Sequence, residues 1–327
     1  MPVSLVTGFL GSGKTTLLNA LLRHPGMGDS AVIVNEFGEI GLDHLLIEAV
    51  SGEVAVLANG CVCCTVRSDL ADTIRRLLAQ RDAGEVPPFR RVLIETTGLA
   101  DPAPIVQMLL NNPLVSHFAR LDAVVTTVDA VHAGGQLDAH GQAVKQVALA
   151  DRLLLTKTDL AGGGPLLDRL RAINPAAPVI PVRHGDIAPD QLFGAALFDP
   201  ERKTPDVRRW LAEEAYHDHD HEHHDHAHAA GIDSFCLTFA QPLDWLAVSQ
   251  WLSALRSVHG PALLRVKGIL NLHEEPGPVA IHGVHHVFHP PVRLEAWSDA
   301  DRRSRIVFIT QGLPRAQVQE AAAAYGL

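Results

Sequence analysis

The sequence predicts an α/β fold in which a domain with a mainly parallel sheet is joined to a smaller C-terminal α+β domain. Three observations support this prediction. The 327 residues exceed the roughly 250 that one hydrophobic core usually serves. Short apolar runs alternate with helical stretches from Val3 to Val182, which is the pattern of a parallel sheet covered on both faces. The composition then changes sharply at residues 217–228.

Six short apolar runs are the predicted strands of the first domain. They span Val3–Thr7, Ala31–Asn35, Arg91–Glu95, Ala123–Val128, Arg152–Thr156 and Val179–Val182. Helices are expected in the intervals, and the first of them is predicted over Lys14–Arg23. Apolar residues also recur at helical spacing in Ser68–Gln80, so this stretch is predicted to be a second helix.

A histidine-rich segment separates the two predicted domains. Residues 217–228 contain seven histidines and four acidic residues, and a segment without large apolar side chains cannot bury a core. We therefore expect a first domain at residues 1–205, a linker at 206–231 and a second domain at 232–327. The second domain is predicted to have strands at Ile232–Phe239, Leu263–Leu272, His282–Phe288 and Ser304–Gly312, and helices at Leu243–Val258 and Pro314–Tyr325. This order suggests a ferredoxin-like sheet.

Charge and hydropathy argue against several classes of protein. A formal charge of -10 and the lack of any basic run argue against a nucleic-acid binder, because nonspecific attraction to phosphates needs clustered lysines and arginines. No apolar run approaches the ~20 residues that cross a bilayer, and the first residues lack the charged region of a secretory signal. We therefore expect a cytoplasmic protein without nucleic-acid or membrane partners. The four cysteines do not resemble a disulfide framework in a chain of this size.

Residues 8–15 have the sequence GFLGSGKT, which matches the phosphate-loop pattern G-x-x-x-x-G-K-[ST] between a predicted strand and a predicted helix. Glycines let successive backbone N–H groups surround phosphates, and the following helix directs its positive end toward them. Lys14 is expected to reach the β and γ phosphates, and the Thr15 hydroxyl is expected to bind Mg²⁺. The first domain is therefore a predicted P-loop NTPase domain. Its loop supplies the predicted nucleotide-binding residues Gly8, Gly11, Ser12, Gly13, Lys14, Thr15 and Thr16.

A Lys-x-Asp pattern follows the predicted strand that ends at Thr156, with Lys157 and Asp159 as its members. In GTPases, an aspartate at this position accepts hydrogen bonds from guanine N1 and from the exocyclic amine, which adenine cannot supply. GTP is therefore the predicted nucleotide. The turn after the next strand contains His184 and is expected to flank the base.

The motif ETTG delivers a carboxylate, Glu95, at the end of a predicted strand and then a glycine, Gly98. Glu95 is expected either to hold Mg²⁺ through water or to orient the attacking water, and the sequence leaves both roles open. The Gly98 amide is expected to sense the γ-phosphate. Lys14, Glu95 and Gly98 are therefore the predicted catalytic residues.

Three cysteines lie within four residues, at Cys61, Cys63 and Cys64. Thiolates at this spacing suit Zn²⁺ or another thiophilic divalent ion, with a fourth ligand position left open. Residues 34–43 precede them at the chain position of a GTPase switch region and are rich in carboxylates. If this segment reorders when the γ-phosphate is lost, nucleotide state and metal affinity become coupled.

The motifs GFLGSGKTT, NEFGEIGLD, NGCVCC, ETTGLADP and TKTD occur in this order. Together they resemble the CobW-type family of P-loop GTPase metallochaperones, and most closely its YjiA-like members. The resemblance runs over residues 3–186 and resumes over residues 232–326. It implies a GTPase domain joined to a smaller α+β domain, and slow hydrolysis of GTP.

The same resemblance implies a set of ligands for zinc or cobalt. Cys63 is the first ligand that it implies, and Cys61, Cys64 and Glu39 come next. One position departs from the family pattern. Val34 stands where YjiA-like members often have a glutamate, so an additional metal site that uses this carboxylate is not implied here.

The sequence thus predicts a GTPase that couples GTP binding and hydrolysis to delivery of a transition metal, Zn²⁺ before Co²⁺, to a client protein. Two other hypotheses stay open: a zinc or cobalt buffer that the nucleotide stabilises, and a GTP-dependent regulator without metal transfer. The histidines of residues 217–228 are predicted to capture metal weakly, and a solvated acidic linker is the alternative. His282, His285, His286 and His289 are interpreted as core or surface histidines rather than ligands.

Overall fold

The computed structural model describes residues 1–34, 47–51, 54–57, 62–65, 70–194, 211, 231–297 and 300–327, with the backbone alone described between 47 and 65. The chain forms two compact units. The first comprises residues 1–166 and 178–195, and the second comprises residues 167–177 and the described part of the chain beyond 195. No helix described in either unit is long and apolar enough to cross a membrane.

The first unit is built on a nine-stranded sheet with the strand order β3-β4-β5-β2-β6-β1-β7-β8-β9. Its strands are β1 (Pro2–Gly8), β2 (Ser30–Val34), β3 (Ile47–Ser51), β4 (Val54–Leu57), β5 (Val62–Thr65), β6 (Arg91–Glu95), β7 (Arg120–Asp129), β8 (Arg152–Thr156) and β9 (Val179–Pro181). All neighbouring strands from β5 across to β9 are parallel. The edge strands β3 and β4 are antiparallel.

Helices connect the parallel strands. They are α1 (Lys14–Arg23), α2 (Leu70–Asp82), α3 (Ala103–Asn111), α4 (Pro113–Ser116), α5 (Ala133–Ala139), α6 (Gly141–Leu149) and α7 (Gly164–Ile173). Consecutive residues of β1 and β6 are buried, as expected for strands covered on both faces. Leu17, Leu18, Leu21 and Leu22 bury one side of α1 against this sheet, because residues three and four apart share a helix face.

The predicted α/β fold class is confirmed, and all six predicted strands are present. The helix predicted over Lys14–Arg23 has those bounds, and the one predicted over Ser68–Gln80 is observed as α2. Strands β3, β4 and β5 were not predicted. Residues Val62–Thr65 were interpreted only as part of a ligand motif, yet their backbone adds a parallel strand beside β2.

The second unit contains an antiparallel sheet with the strand order β10-β15-β11-β12-β13, and β14 pairs with β12. Its elements are β10 (Ile232–Phe239), α8 (Trp245–His259), β11 (Leu263–Leu270), β12 (Val279–Val284), β13 (Val287–Phe288), β14 (Val292–Arg293), β15 (Ser304–Gln311) and α9 (Arg315–Ala323). Trp251 is 0% exposed and contacts Phe308 of β15, with ring centroids 6.0 Å apart. The α8 face that carries Val248, Trp251 and Leu255 packs in the core of this unit.

The ferredoxin-like arrangement expected for this sheet is wrong, although the α+β class is confirmed. A ferredoxin-like fold places its second helix before the last strand, whereas α9 follows β15 here. The apolar stretch His282–Phe288 is a hairpin rather than one strand, and His285 adopts a φ of 53° in its turn. The predicted linker at residues 206–231 lies almost wholly outside the described residues, so the predicted domain boundaries stay predictions.

Candidate nucleotide site and cysteine strand

The glycine-rich loop leaves the carboxyl end of the buried strand β1 and enters α1. Gly11 and Gly13 adopt φ values of 71° and 92°, a left-handed conformation that glycine reaches without steric cost. Gly8 has a φ of 141°, and a Cβ at this position would collide with Thr127 and Ser12. The loop conformation therefore depends on the glycines of the phosphate-loop pattern.

Lys14 folds its side chain back over this loop. Its Nζ donates to the carbonyl oxygens of Gly8 at 2.9 Å and Phe9 at 3.2 Å, and the residue is only 7% exposed. These carbonyls compensate a buried ammonium for lost hydration. Thr15 is partly buried and Thr16 is exposed in the first turn of α1, where free backbone N–H groups carry partial positive charge. The arrangement can bind phosphate groups.

A network of hydroxyl groups ties the loop to the neighbouring strands. Ser12 Oγ lies 2.7 Å from Thr127 Oγ1 on β7, and Thr156 Oγ1 at the end of β8 donates to the Ser12 carbonyl at 2.8 Å. Thr127 and the Thr156 contact belong to no motif recognised in the sequence. The signal that would have found them is the presence of threonines at the carboxyl ends of otherwise apolar strands, next to the predicted loop.

The loop after β6 lies directly against the phosphate loop. Glu95 ends β6 with 2% of its surface exposed, and its backbone pairs with Val6 of β1. A Cβ built on Gly98 would lie 2.7 Å from the Leu10 nitrogen and 2.8 Å from the Leu10 Cα. Gln146 of α6, which is buried, donates to the Gly98 carbonyl at 3.1 Å and to that of Ala100 at 3.0 Å. Gly98 is therefore held close to the loop that carries Lys14.

The predicted base-recognition motif begins at the end of β8 with an unusual backbone conformation. Lys157 has a φ of 56°, and its Nζ lies 2.6 Å from Asp129 Oδ2 at the end of β7. Burial disfavours ionisation of Asp129, but hydrogen bonds from Lys157 and His132 outweigh it and hold the pKa of the carboxyl below its ordinary value. Asp159 is exposed two residues further on.

The turn that contains His184 lies beside the start of α1. His184 is exposed and has a φ of 52°. A Cβ on the next residue, Gly185, would lie 2.7 Å from the Thr16 carbonyl oxygen. This turn therefore borders the helix that follows the phosphate loop, at the same edge of the sheet as Lys157.

The cysteine motif places two backbone positions on β5. Cys63 pairs with Val32, and Cys64 pairs with Ile33. Val34, the last residue of β2, is the register partner of Thr65 on one side and of Glu95 on the other. Because strands are about 4.8 Å apart, the β5 backbone next to Cys64 is roughly 10 Å from that of Glu95.

The other members of the predicted metal set, Cys61 and Glu39, lie outside the described residues, as do the histidines of residues 217–228. Among the residues that the structure does describe, no group of three histidine, cysteine or acidic side chains could hold a metal. His285 is buried, His286 is exposed, and His282 and His289 are partly buried; their interpretation as core or surface histidines stays a prediction.

A glycine-rich loop between the first strand and first helix of a mainly parallel sheet, with a lysine folded over it, defines a P-loop nucleotide-binding protein. Comparison of the sequence with protein-family models identifies the family within this class. Residues 2–181 match the CobW/HypB/UreG nucleotide-binding domain, and residues 232–325 match the C-terminal domain of the cobalamin synthesis protein CobW. The chain belongs to the CobW/HypB/UreG family.

Relatives resemble the chain over nearly its full length. The zinc chaperone YjiA of Escherichia coli is 37% identical over 98% of this chain and 96% of its own length. The zinc chaperone CobW of Pseudomonas aeruginosa is 33% identical over 97% of this chain and 89% of its own. The crystal structure of zinc-bound YjiA GTPase from E. coli superposes with a TM-score of 0.79 at 36% identity, covering 99% and 98% of the two chains.

Proposed function

We propose that the chain is a cytoplasmic GTP-hydrolysing metallochaperone, which couples binding and hydrolysis of GTP to binding of a transition metal and its delivery to a client protein. The observation that carries the proposal is the contact of Gly98 with the phosphate loop, in a sheet whose strand β5 carries Cys63 and Cys64. Relatives named zinc chaperones, similar over nearly the whole chain, support zinc as the first metal to test. Cobalt is the second, because the same ligand types also suit it.

In this proposal the phosphate loop binds the β and γ phosphates of GTP. Lys14 moves its ammonium from the loop carbonyls to the phosphates, and Gly8, Gly11, Ser12, Gly13 and Thr16 contribute the surrounding backbone and hydroxyl groups. The Gly98 amide donates to the γ-phosphate, which is the group that hydrolysis removes. Loss of that phosphate therefore removes a hydrogen bond that holds the loop after β6.

The residues assigned to Mg²⁺ fit that ion. Thr15 offers a partly buried hydroxyl in the first turn of α1, and Glu95 offers a buried carboxylate at the end of β6. Both are hard oxygen donors of the kind that Mg²⁺ prefers. When bound, the ion neutralises charge on the phosphates. Glu95 would hold the ion through water or orient the attacking water.

Recognition of guanine is assigned to the ends of β8 and β9. Asp159 accepts hydrogen bonds from guanine N1 and its exocyclic amine, Lys157 packs beside the base, and the His184 turn flanks it. The carboxylate of Asp159 is exposed and therefore accessible to a ligand. Substituting Asp159 with alanine should remove the preference for GTP over ATP, as measured by competition for a fluorescent nucleotide.

Zinc is the proposed cargo of Cys61, Cys63, Cys64 and Glu39, since thiolates with a carboxylate suit it. The short distance across β2 between the strands of Cys64 and Glu95 supports coupling of the two sites. Coupling free energies between sites are typically 1–3 kcal/mol, or 5- to 150-fold in affinity. We therefore expect zinc affinity to differ at least about fivefold between the two nucleotide states.

The test is a competition titration of zinc against a chelating dye, with the protein saturated by GDP or by a non-hydrolysable GTP analogue. Cys63→Ala should weaken zinc binding, and Lys14→Ala should retain zinc binding but remove its response to nucleotide. Cys236→Ala is the matched cysteine control, because Cys236 lies in the second unit, and it should leave zinc affinity unchanged. Equal zinc affinities in both nucleotide states would contradict the proposal and favour a nucleotide-stabilised metal buffer.

A further inference from the structure

We propose that Asp129 is a positioning residue for nucleotide binding, which fixes the side chain of Lys157 at the base end of the site. The inference rests on the proposed guanine site and adds a residue that no sequence motif identified. Its basis is the arrangement of four donors around the two carboxylate oxygens of Asp129, at the junction of β7 and β8.

The Asp129 side chain is only 2% exposed. Its Oδ1 accepts from the backbone N–H groups of Val131 at 2.8 Å and His132 at 3.3 Å. Its Oδ2 lies 2.6 Å from Lys157 Nζ and 3.0 Å from His132 Nδ1. The two oxygens therefore have separate tasks: Oδ1 holds the turn after β7, and Oδ2 holds the lysine of the base-recognition motif.

Backbone pairing between β7 and β8 places Asp129 close to Lys157. Asp129 is the register partner of Thr156, the residue before Lys157, and the Ala130 N–H donates to the Thr156 carbonyl at 3.0 Å. Thr156 in turn donates to the Ser12 carbonyl of the phosphate loop. Thr156, the register partner of Asp129, therefore connects the strand end before Lys157 to the phosphate loop.

Lys157 occupies a left-handed conformation, with a φ of 56°. This is uncommon for a long side chain and persists only where the surroundings determine it. The Lys157 side chain is 34% exposed, so it would sample many rotamers in water. The buried carboxylate removes that freedom, because a charge-assisted hydrogen bond at 2.6 Å fixes the ammonium.

Removal of the Asp129 charge should therefore weaken nucleotide binding more than it slows hydrolysis. Lys157 must then be ordered by the nucleotide itself, and that cost reduces affinity. Asp129 acts on Lys157 at the proposed guanine end of the site, and guanine is common to both nucleotides, so GTP and GDP should be affected equally. The expected signature is a rise in Kd for both nucleotides of about tenfold or more, with kcat reduced less than about twofold.

The variant Asp129→Asn suits this test because its amide oxygen can still accept from the turn at residues 131 and 132, while its amide nitrogen faces Lys157. Asp129→Ser is a second variant without the charge, whose hydroxyl can also accept from that turn. Thermal unfolding identifies which variant is folded. Asp72→Asn is the matched control, since it breaks an exposed pair with Arg75 at 3.0 Å, and its nucleotide affinity should equal that of the unmodified chain.

A double-mutant cycle with Lys157→Ala decides whether Asp129 acts through Lys157. Each single variant should lose about tenfold in affinity for mant-GDP and mant-GTP, and the double variant should lose less than about twofold more than Lys157→Ala alone. Independent, multiplying losses would overturn the inference, as would an unchanged Kd for a folded Asp129 variant. Asp159→Ala separates the two proposals: if it keeps the preference for GTP over ATP, the guanine site itself is wrong. If it loses that preference while the Asp129 variants bind normally, only the role of Asp129 is wrong.

Discussion

The contact between Gly98 and the phosphate loop can be tested with a single methyl group. In Gly98→Ala the added Cβ would meet the Leu10 nitrogen at 2.7 Å, the Leu10 Cα at 2.8 Å and the Leu10 Cδ2 at 2.7 Å. Rotation of the Leu10 side chain relieves only the last of these, because the other two atoms belong to the backbone. The two loops must therefore separate.

The size of the effect follows from the required displacement. Ordinary van der Waals contact begins at 3.4 Å, so the loops must move apart by about 0.7 Å. Overpacking of this kind costs about 1–3 kcal/mol. The Gly98 carbonyl is also held by Gln146 at 3.1 Å, which limits how far its loop can retreat. Since both loops belong to the proposed nucleotide site, the same strain should weaken GTP binding by about 5- to 150-fold.

The assay combines urea unfolding with titration of a fluorescent GTP analogue. Gly162→Ala is the control: a Cβ at Gly162 meets nothing within 4 Å, so its stability should stay within about 1 kcal/mol of the unmodified chain. If Gly98→Ala matched this control in both stability and GTP affinity, the close approach of the two loops would have no energetic consequence, and the proposed sensing of the γ-phosphate by Gly98 would lose its structural basis.

Three further changes have expected outcomes. Thr156→Val keeps the shape but removes the donor to the Ser12 carbonyl, so urea unfolding should show a loss of about 1–3 kcal/mol, and a lesser GTP affinity should accompany it. Trp251→Ala should cost about 3–5 kcal/mol in the second unit, whereas the 62% exposed Leu246 should tolerate alanine within about 0.5 kcal/mol; comparable losses would refute the assigned core. The pKa of Asp129 is lowered from 3.8, so its stabilisation is complete above that pH and disappears as pH falls through the lower folded value. The difference in unfolding free energy between the unmodified chain and D129N should stay constant from pH 8 to about 5 and shrink only below about 4; a decrease that begins near pH 6 would contradict this assignment.

The sequence was sufficient for the parallel sheet because buried parallel strands are continuous apolar runs, and Arg152–Thr156 is such a run with the bounds observed. It was insufficient for β5. Residues Val62–Thr65 have only two apolar or β-branched residues besides their cysteines, and their pairing with β2 is a long-range interaction that no local pattern encodes. The chain order of β15 and α9 was predicted, but the ferredoxin-like arrangement was wrong for the same reason, since the order of strands within a sheet depends on tertiary packing.

For the candidate site, local motifs identified the phosphate loop and Lys157, because phosphate binding needs a particular backbone within a few residues. The groups that hold these motifs in place come from elsewhere in the chain. Ser12 and Thr127 are 115 residues apart in sequence, and Gln146 is 48 residues from Gly98. The sequence around Asp129 does not distinguish it from any other aspartate at the end of a strand. Its proximity to Lys157 depends on the pairing of β7 with β8.

Coupling between the proposed nucleotide and metal sites has a short path through β2. Val34 joins the strand of Cys64 to the strand of Glu95, but close-packed strands have little freedom to change arrangement. Coupling requires an element with two arrangements that both sites bias. The segment that begins at Asn35 follows β2 directly in the chain and is the switch region predicted from the sequence. We therefore expect the nucleotide to control metal affinity through this segment, with β2 as its fixed anchor, rather than through distortion of the sheet.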